Sequence, residues 1–251
     1  MKPTSPQSAV ELFHLLVLDL FSRKTDRNRY TLKGGCNLRF FHKSIRYSED
    51  LDIDLSARFS KDKLADAVEG IITSKTLAQL LELRGMRIAE WSAPKQTDTT
   101  QRWKFGLEWN RQTPWLRTKI EFSRRGMNDG ITFEPVDPYL IRTYRLTPIL
   151  VSHYDANTAL KQKIRALADR RHVQARDVFD IDLLLNSGAC LDKPGSSRHA
   201  QAATNALNVS FDMFKAQVLS FLHPDHQRQF DSPTVWDEMV LRVVTALEVP
   251  S

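Results

Sequence analysis

The chain has 251 residues, a formal net charge of +6 and a sequence pI of about 9.4. Hydrophobic residues make up 41% and charged residues 26%, which is typical of globular proteins and excludes a disordered or fibrous chain. The basic excess is compatible with a polyanionic partner but does not identify one.

Cysteine usage and hydropathy predict a cytoplasmic protein. Cys36 and Cys190 lie outside any CxxC or Cys/His cluster, so we expect neither a zinc site nor a disulfide framework. The N-terminal segment carries polar residues within its apolar stretch and lacks a small-residue cleavage site, so no signal peptide is predicted. No apolar run reaches the roughly 18 residues that a membrane span needs, and we expect no membrane partner.

Periodicity predicts helices and strands in the following order. Helical spacing covers residues 6–23, 37–43 and 60–83. Strand patterns cover residues 30–33, 50–56, 86–92, 101–110 and 115–125. From about residue 145 the chain is predicted to be mostly helical, interrupted by a loop at Pro194–Ser197.

This order predicts an α+β fold, with a mixed sheet and flanking helices followed by a helical bundle. We place the α+β part at residues 1–150 and the helical part at residues 151–251.

The stretch Asp50–Leu55 alternates acidic and apolar residues. Successive side chains of a strand point to opposite faces, so Asp50, Asp52 and Asp54 share one face. Aspartate is depleted in strands, and three carboxylates on one face repel each other unless a cation lies among them. The pattern favours a divalent cation such as Mg²⁺, and a solvated acidic face is the alternative. Glu121, in a later strand, is a candidate third carboxylate.

Gly34 and Gly35 follow a short strand and precede a predicted helix. Glycine lets the backbone approach a ligand closely, and the N–H groups at a helix start favour anions. The pair is therefore a candidate phosphate site, although the spacing of a Walker A loop is absent. A simple turn is the alternative.

Two later helices place charged residues beside an apolar stripe. Lys163 lies at the edge of the stripe of the first helix, and Arg170 lies seven residues further on. On the next helix, Asp177 and Asp180 follow the spacing of an otherwise apolar face. One interpretation is a buried ion pair that joins the helices; the other is that Lys163 contacts a triphosphate, with Asp177 and Asp180 as orienting or basic groups.

Four motifs in this order resemble the AbiEii/AbiGii toxin family, within the DNA-polymerase-β-like nucleotidyltransferase superfamily. KGGCNL is similar to the family's Gly-Gly motif, with Cys36 in place of a small hydroxyl residue. Ser48, Asp50 and Asp52 match an S-x-D-L-D motif. QKIRAL with Arg170 resembles the motif that contains Lys163, with Gln162 in place of an acid. RDVFDI, which contains Arg176, Asp177 and Asp180, resembles the last motif.

The resemblance implies an enzyme with a nucleotidyltransferase fold that uses an NTP, depends on Mg²⁺ (or Mn²⁺) and releases pyrophosphate. Asp50 and Asp52, with Glu121, would hold the metal, and Asp177 would be a catalytic or orienting acid, with Asp180 and Arg176 as further candidates. Six residues would bind the nucleotide: Gly34, Gly35, Cys36, Ser48, Lys163 and Arg170. The helical part would contribute Lys163 and Asp177 to the cleft.

The resemblance also implies a toxin of a toxin–antitoxin system that modifies RNA, in particular tRNA, and is paired with a cognate antitoxin. Three alternatives remain open: the same fold acting on a protein or small-molecule acceptor, a nuclease, and a non-catalytic protein that binds nucleotides or nucleic acid. The order Lys119-x-Glu121 is the reverse of the Glu-x-Lys pair expected of common nucleases.

Overall fold

The structure is a computed structural model that describes residues 2–191 and 195–248. The chain divides into two compact units. The first contains the chain up to Phe41 together with Tyr47–Tyr154, and the second contains His42–Arg46 together with the chain from Asp155 onward. Pro194 of the predicted loop lies outside the described residues, and Ser196 caps the helix that begins at Ser197.

Helices and strands have the following bounds. The helices are α1 (Pro6–Lys24), α2 (Gly34–Phe41), α3 (Lys61–Ile72), α4 (Lys75–Glu82), α5 (Pro138–Tyr144), α6 (Ala156–Asp169), α7 (Ala175–Asn186), α8 (Ser197–Leu207), α9 (Phe211–Gln217), α10 (Pro224–Phe230) and α11 (Pro233–Glu248). The strands are β1 (Tyr30–Lys33), β2 (Asp50–Leu55), β3 (Met86–Gln96), β4 (Thr100–Trp109), β5 (Leu116–Ser123), β6 (Ile131–Pro135) and β7 (Leu150–Tyr154).

These strands form one mixed sheet in the first unit, with the order β3-β4-β5-β2-β1-β7-β6. β2 runs parallel to β5 and antiparallel to β1, and β1 runs parallel to β7. The acidic strand therefore lies in the middle of the sheet, where both neighbours hold its backbone. This arrangement confirms the predicted mixed sheet with flanking helices.

The apolar face of β2 anchors this strand. Leu51, Ile53 and Leu55 are fully buried in the core of the first unit, which α1 covers with residues such as Leu12 and Phe13. The predicted alternation is thus confirmed on its apolar side. The burial of this face leaves the three aspartates together on the other face of β2.

Three local predictions are wrong. The second helix begins at Gly34 rather than near residue 37, so the glycine pair forms its first turn. The helix predicted over residues 60–83 is broken at Thr73 and Ser74, because Thr73 ends α3 and the Ser74 side chain caps α4 by accepting from the Leu77 N–H. β7 continues the sheet beyond residue 145, where helix was predicted.

The second unit is helical and has an aromatic core. Phe214 stacks on Trp236 with ring centroids 4.6 Å apart, and the Trp236 indole donates a hydrogen bond to the Val209 carbonyl oxygen (3.1 Å). Asp155, Ser196 and Ser210 cap helices α6, α8 and α9. Within the described residues of either unit, no helix is long and apolar enough to cross a membrane.

Candidate active site

Three side chains hold the backbone where β2 begins. The Ser48 hydroxyl (2.9 Å) and the Cys36 thiol (3.2 Å) both donate to the Asp50 carbonyl oxygen. The Thr118 hydroxyl donates to the preceding carbonyl oxygen, that of Glu49 (2.7 Å). The main chain that carries the first aspartate is therefore fixed from α2, from β5 and from the segment that leads into its own strand.

His14 completes this network from α1. Its Nε2 lies 2.7 Å from the Thr118 hydroxyl oxygen, whose only hydrogen goes to Glu49. Nε2 must therefore carry the hydrogen, and the unprotonated Nδ1 lies 3.5 Å from Cys36 Sγ, whose single hydrogen goes to the Asp50 carbonyl oxygen. Burial lowers the pKa of His14 to about 3, so the ring is neutral at physiological pH.

Cys36 faces the core rather than a ligand. Its side chain is buried, and burial raises the pKa of its thiol well above the ordinary value. The thiol is thus neutral and points at the Asp50 carbonyl oxygen and His14. Any contact of Cys36 with a nucleotide would have to come from its backbone N–H, and Ser48 likewise directs its hydroxyl to the main chain.

Cations pair with most of the carboxylates on the acidic face. Lys119 Nζ lies 2.8 Å from Asp50 Oδ2, and Arg102 Nε donates to Glu121 Oε2 (2.6 Å). Asp54 pairs with Lys33 and accepts a hydrogen bond from the Tyr154 hydroxyl (2.9 Å). Asp54 is buried, so it is a structural residue and not a solvated neighbour of the other two.

Asp52 differs from these neighbours. In the part of the chain that the structure describes, its carboxylate forms no hydrogen bond and no ion pair. Burial, and next the charge of Asp50, raise the pKa of Asp52 above its ordinary value, although Lys33 opposes the shift. A half-buried carboxylate without a partner is costly, and a bound cation would remove this cost.

Gly34 lacks the Cβ that would collide with the Asp52 carboxylate. The backbone of Gly34 has a φ of +69°, and a Cβ built there would lie 2.8 Å from Asp52 Oδ2. Any other residue would meet both the strain of the left-handed region and this contact. The unpaired carboxylate of Asp52 on β2 therefore lies directly beside the start of α2.

The donor set fits Mg²⁺ with two carboxylates rather than three. Across residues 2–191 and 195–248, no group of three or more His, Cys, Asp and Glu side chains is arranged as a metal centre. Mg²⁺ is commonly bound by one or two carboxylates, with waters and substrate phosphates completing its shell, and Asp50 and Asp52 suit this mode. Glu121 is the register partner of Asp52, and its carboxylate is paired with Arg102 as that of Asp50 is with Lys119.

In the second unit, the later motifs form a buried charge network. Lys163 Nζ lies 2.7 Å from Asp180 Oδ2 and 3.3 Å from Asp177 Oδ1. Arg170 Nε lies 3.0 Å from Asp177 Oδ2. Both aspartates are fully buried on α7, so the ion pair that the sequence offered as one interpretation is present and joins α6 to α7.

Arg46 is the member of this network that the sequence did not reveal. Its guanidinium binds both oxygens of Asp180, with Nη2 2.9 Å from Oδ2 and 3.1 Å from Oδ1. Burial alone would raise the pKa of Asp180, but Arg46 and Lys163 together hold it below its ordinary value. The sequence did carry an indirect signal for a further cation. Two acids on an otherwise apolar helix face require several cations to neutralise them.

A family model for the nucleotidyl transferase AbiEii toxin of type IV toxin–antitoxin systems matches residues 16–245 of the chain. The match includes the Gly-Gly motif, the acidic strand and both motifs of the charge network. It confirms the resemblance inferred from these motifs. No curated protein matches the chain.

Three solved structures share the fold at low sequence identity. JHP933 from Helicobacter pylori has a TM-score of 0.53 and 16% identity, over 94% of this chain and 90% of its own. A putative nucleotidyltransferase from H. pylori has a TM-score of 0.55 and 16% identity, over 94% and 92%. MenT4, the nucleotidyltransferase toxin Rv2826c from Mycobacterium tuberculosis H37Rv, has a TM-score of 0.55 and 14% identity, over 96% and 84%.

Proposed function

Because the chain belongs to the AbiEii nucleotidyl transferase toxin family of type IV toxin–antitoxin systems, we propose that it transfers a nucleotide from an NTP to RNA with the help of Mg²⁺ or Mn²⁺. The observation that carries this proposal is the unpaired, half-buried carboxylate of Asp52 beside Asp50. Of the candidate acceptors we favour tRNA. A basic net charge of +6 agrees with an RNA acceptor.

In this proposal the first unit binds the cation and the phosphates. Asp50 and Asp52 would hold the divalent cation, which would supply Lewis-acid stabilisation of the charge on the phosphate oxygens. The backbone N–H groups of Gly34 and Gly35 open α2, where the first turn of a helix has N–H groups without intrahelical partners. These groups orient the triphosphate.

The reaction is a displacement at the α-phosphorus of the NTP. The oxygen of an RNA hydroxyl forms a bond to this phosphorus and gives up its proton to solvent water. The bond between the α-phosphorus and the bridging oxygen breaks, and pyrophosphate leaves with that oxygen. The protein's contribution is orientation and charge stabilisation. The fixed main chain of Glu49 and Asp50 suits this role, because ligands on a rigid strand keep their geometry.

We assign Lys163 to charge neutralisation on the triphosphate, as the family resemblance implies. The two acids of the last motif then act on Lys163, since Asp177 and Asp180 both contact its ammonium group. Both oxygens of Asp177 lie beside cations and its side chain is fully buried. This favours a positioning role over proton transfer for Asp177, and the same argument holds for Asp180.

Family membership also implies a cognate antitoxin as partner. We place the protein in the cytoplasm, where its proposed tRNA acceptor is found.

A transfer assay tests the proposal. The purified protein is mixed with Mg²⁺ or Mn²⁺, total tRNA and each α-labelled NTP in turn, and the label on RNA is followed. Label that moves to tRNA only when a divalent cation is present would establish the reaction and identify the nucleotide. NTP binding without transfer to any RNA would favour a protein or small-molecule acceptor, and neither binding nor transfer would contradict the proposal.

A further inference from the structure

The sheet register places a row of basic side chains beside the acidic strand. Lys119 is the partner of Asp50, and Lys104 of β4 is the partner of Lys119. One row further along, Arg102 lies opposite Glu121, and Lys95 of β3 lies opposite Arg102. Directly opposite residues share a face, so these side chains lie on the same face as Asp50 and Asp52.

The outer cations of these rows are not neutralised. Within residues 2–191 and 195–248, Lys95 and Lys104 have no ion pair or hydrogen bond through their ammonium groups, and Lys104 is exposed. The inner cations, Lys119 and Arg102, are occupied by Asp50 and Glu121. The cations that are free to bind phosphate are therefore the ones farther from β2.

An aromatic ring lies on the same face. Gly106 of β4 has no side chain, and a Cβ built on it would lie 2.9 Å from Glu90 Cγ, 3.1 Å from Trp115 Cε3 and 3.1 Å from Arg117 Nη1. The Arg117 guanidinium carbon lies 5.8 Å from the centre of the Trp115 ring. The glycine thus makes room for a partly exposed tryptophan beside an exposed arginine, whose charge is paired with Glu90. Among the described residues, the unpaired charges on this face are therefore those of Lys95 and Lys104.

Lysines near a partly exposed aromatic ring are a combination that suits single-stranded nucleic acid, because phosphates pair with the charges and bases stack on the ring. We propose that this face binds a single-stranded end of an RNA acceptor and leads it to Asp50 and Asp52. We call it the basic face, and define it by Lys95, Arg102, Lys104, Trp115, Arg117 and Lys119. This inference rests on the proposed function.

The distances across the sheet suit an RNA strand whose end lies at Asp50 and Asp52. Neighbouring strands are about 4.8 Å apart, so Lys104 lies about 10 Å and Lys95 about 14 Å across the sheet from β2. A chain of a few nucleotides spans this width. Its terminal hydroxyl then reaches the acidic strand while its upstream phosphates lie over Lys104 and Lys95.

The test measures binding of a short 5′-labelled single-stranded RNA by fluorescence anisotropy over a range of KCl concentrations. Lys95→Ala/Lys104→Ala is compared with Lys63→Ala/Lys75→Ala, which removes the same charge from α3 and α4. Each phosphate contact contributes about 0.7 to the slope of log K against log salt, so the first variant should lower the slope by about 1.4. The control variant should leave it unchanged.

A second variant pair tests the aromatic ring. Trp115→Ala should weaken binding roughly 5- to 150-fold, and Trp115→Phe should restore most of the affinity. A blunt RNA duplex of the same sequence should bind without sensitivity to Trp115. Circular dichroism and NTP affinity, which should not change, show that each variant is folded.

Three results would overturn the inference: an unchanged slope in Lys95→Ala/Lys104→Ala, an equal decrease in the control variant, or no RNA binding by the intact protein. Equal sensitivity of the duplex to Trp115→Ala would overturn the assignment to a single-stranded end. RNA binding through the basic face without any nucleotide transfer would leave this inference standing and contradict the proposed function.

Discussion

Arg46 and Asp180 are 134 residues apart in the chain and form a buried bidentate ion pair. Arg46 belongs to the short segment His42–Arg46, which is part of the second unit, whereas the residues on either side of this segment belong to the first. The pair therefore ties this segment to helix α7. It also shares Asp180 with Lys163, so the position of the motif lysine depends on it.

Loss of Arg46 should strongly destabilise the protein. Arg46→Ala leaves Asp180 buried with Lys163 as its remaining cation, and removing one partner of a buried pair typically costs about 3–5 kcal/mol. Urea denaturation measures the change in the free energy of unfolding. The matched control is Arg242→Ala, whose partner Asp182 lies on the same helix but whose own side chain is half exposed. This control should cost about 1 kcal/mol or less, and equal costs for both variants would contradict the role of Arg46.

Gly34→Ala should abolish nucleotide transfer. The new methyl group would lie 2.8 Å from Asp52 Oδ2, and the φ of +69° adds strain of about 1–2 kcal/mol for a residue with a Cβ. Gly70→Ala is the control, because this glycine lies inside α3 and a methyl group added to it would have nothing within 4 Å. Helix propensity predicts that Gly70→Ala is neutral or stabilising by up to about 1 kcal/mol. Full activity in Gly34→Ala would show that the close approach is unimportant.

Asp52→Asn and Asp54→Asn should shift thermal stability in opposite directions. Burial raises the pKa of Asp52, so its ionised form is unfavourable in the folded, metal-free protein at neutral pH. Asp52→Asn removes this cost and should raise the Tm, while Asp54→Asn breaks the pair with Lys33 and should lower it. Added Mg²⁺ should raise the Tm of the intact protein and not that of Asp52→Asn. A decrease in the Tm for both variants would contradict the unpaired state of Asp52.

The buried His14 should make stability depend on pH. Its pKa is about 3 in the folded protein and about 6.5 in the unfolded chain, so the unfolded chain binds the proton more tightly. Its contribution to stability is complete above about pH 6.5 and is lost progressively as the pH falls towards 3. Between about pH 7.5 and about pH 5 the loss is about 2 kcal/mol.

Urea denaturation at these two pH values, repeated with His14→Gln, isolates this contribution. The glutamine amide can still donate to Thr118 but does not titrate. The variant should therefore lose about 2 kcal/mol less than the intact protein between the two pH values. Identical losses would mean that His14 is already protonated or exposed in the folded protein.

The acidic strand could be predicted because the alternation of acidic and apolar residues lies within one short stretch of sequence. Alternation places Asp50 and Asp52 on one face and Leu51 and Ile53 in the core, and the structure has this arrangement. The partner of Asp180 could not be predicted, since no local pattern indicates that Arg46 lies beside a residue so far along the chain. The position of Cys36 in the core was missed for the same reason, because it depends on α1 and β2 together.

Strand β7 was missed because it has no alternation. Val151, Ser152, His153 and Tyr154 are all buried, so the period-2 pattern of a half-exposed strand is absent. The start of α2 was also missed, because glycine has a low helix propensity and only the surrounding structure places Gly34 and Gly35 in a first turn.

The most direct test of the central claim compares nucleotide transfer by Asp52→Asn and Asp54→Asn, two equal changes on the same face of β2. With the folded fraction of each variant measured, Asp52→Asn should show no metal-dependent transfer of labelled nucleotide to RNA. Asp54→Asn should retain transfer in proportion to its folded fraction. Transfer by Asp52→Asn at the level of the intact protein would contradict the account.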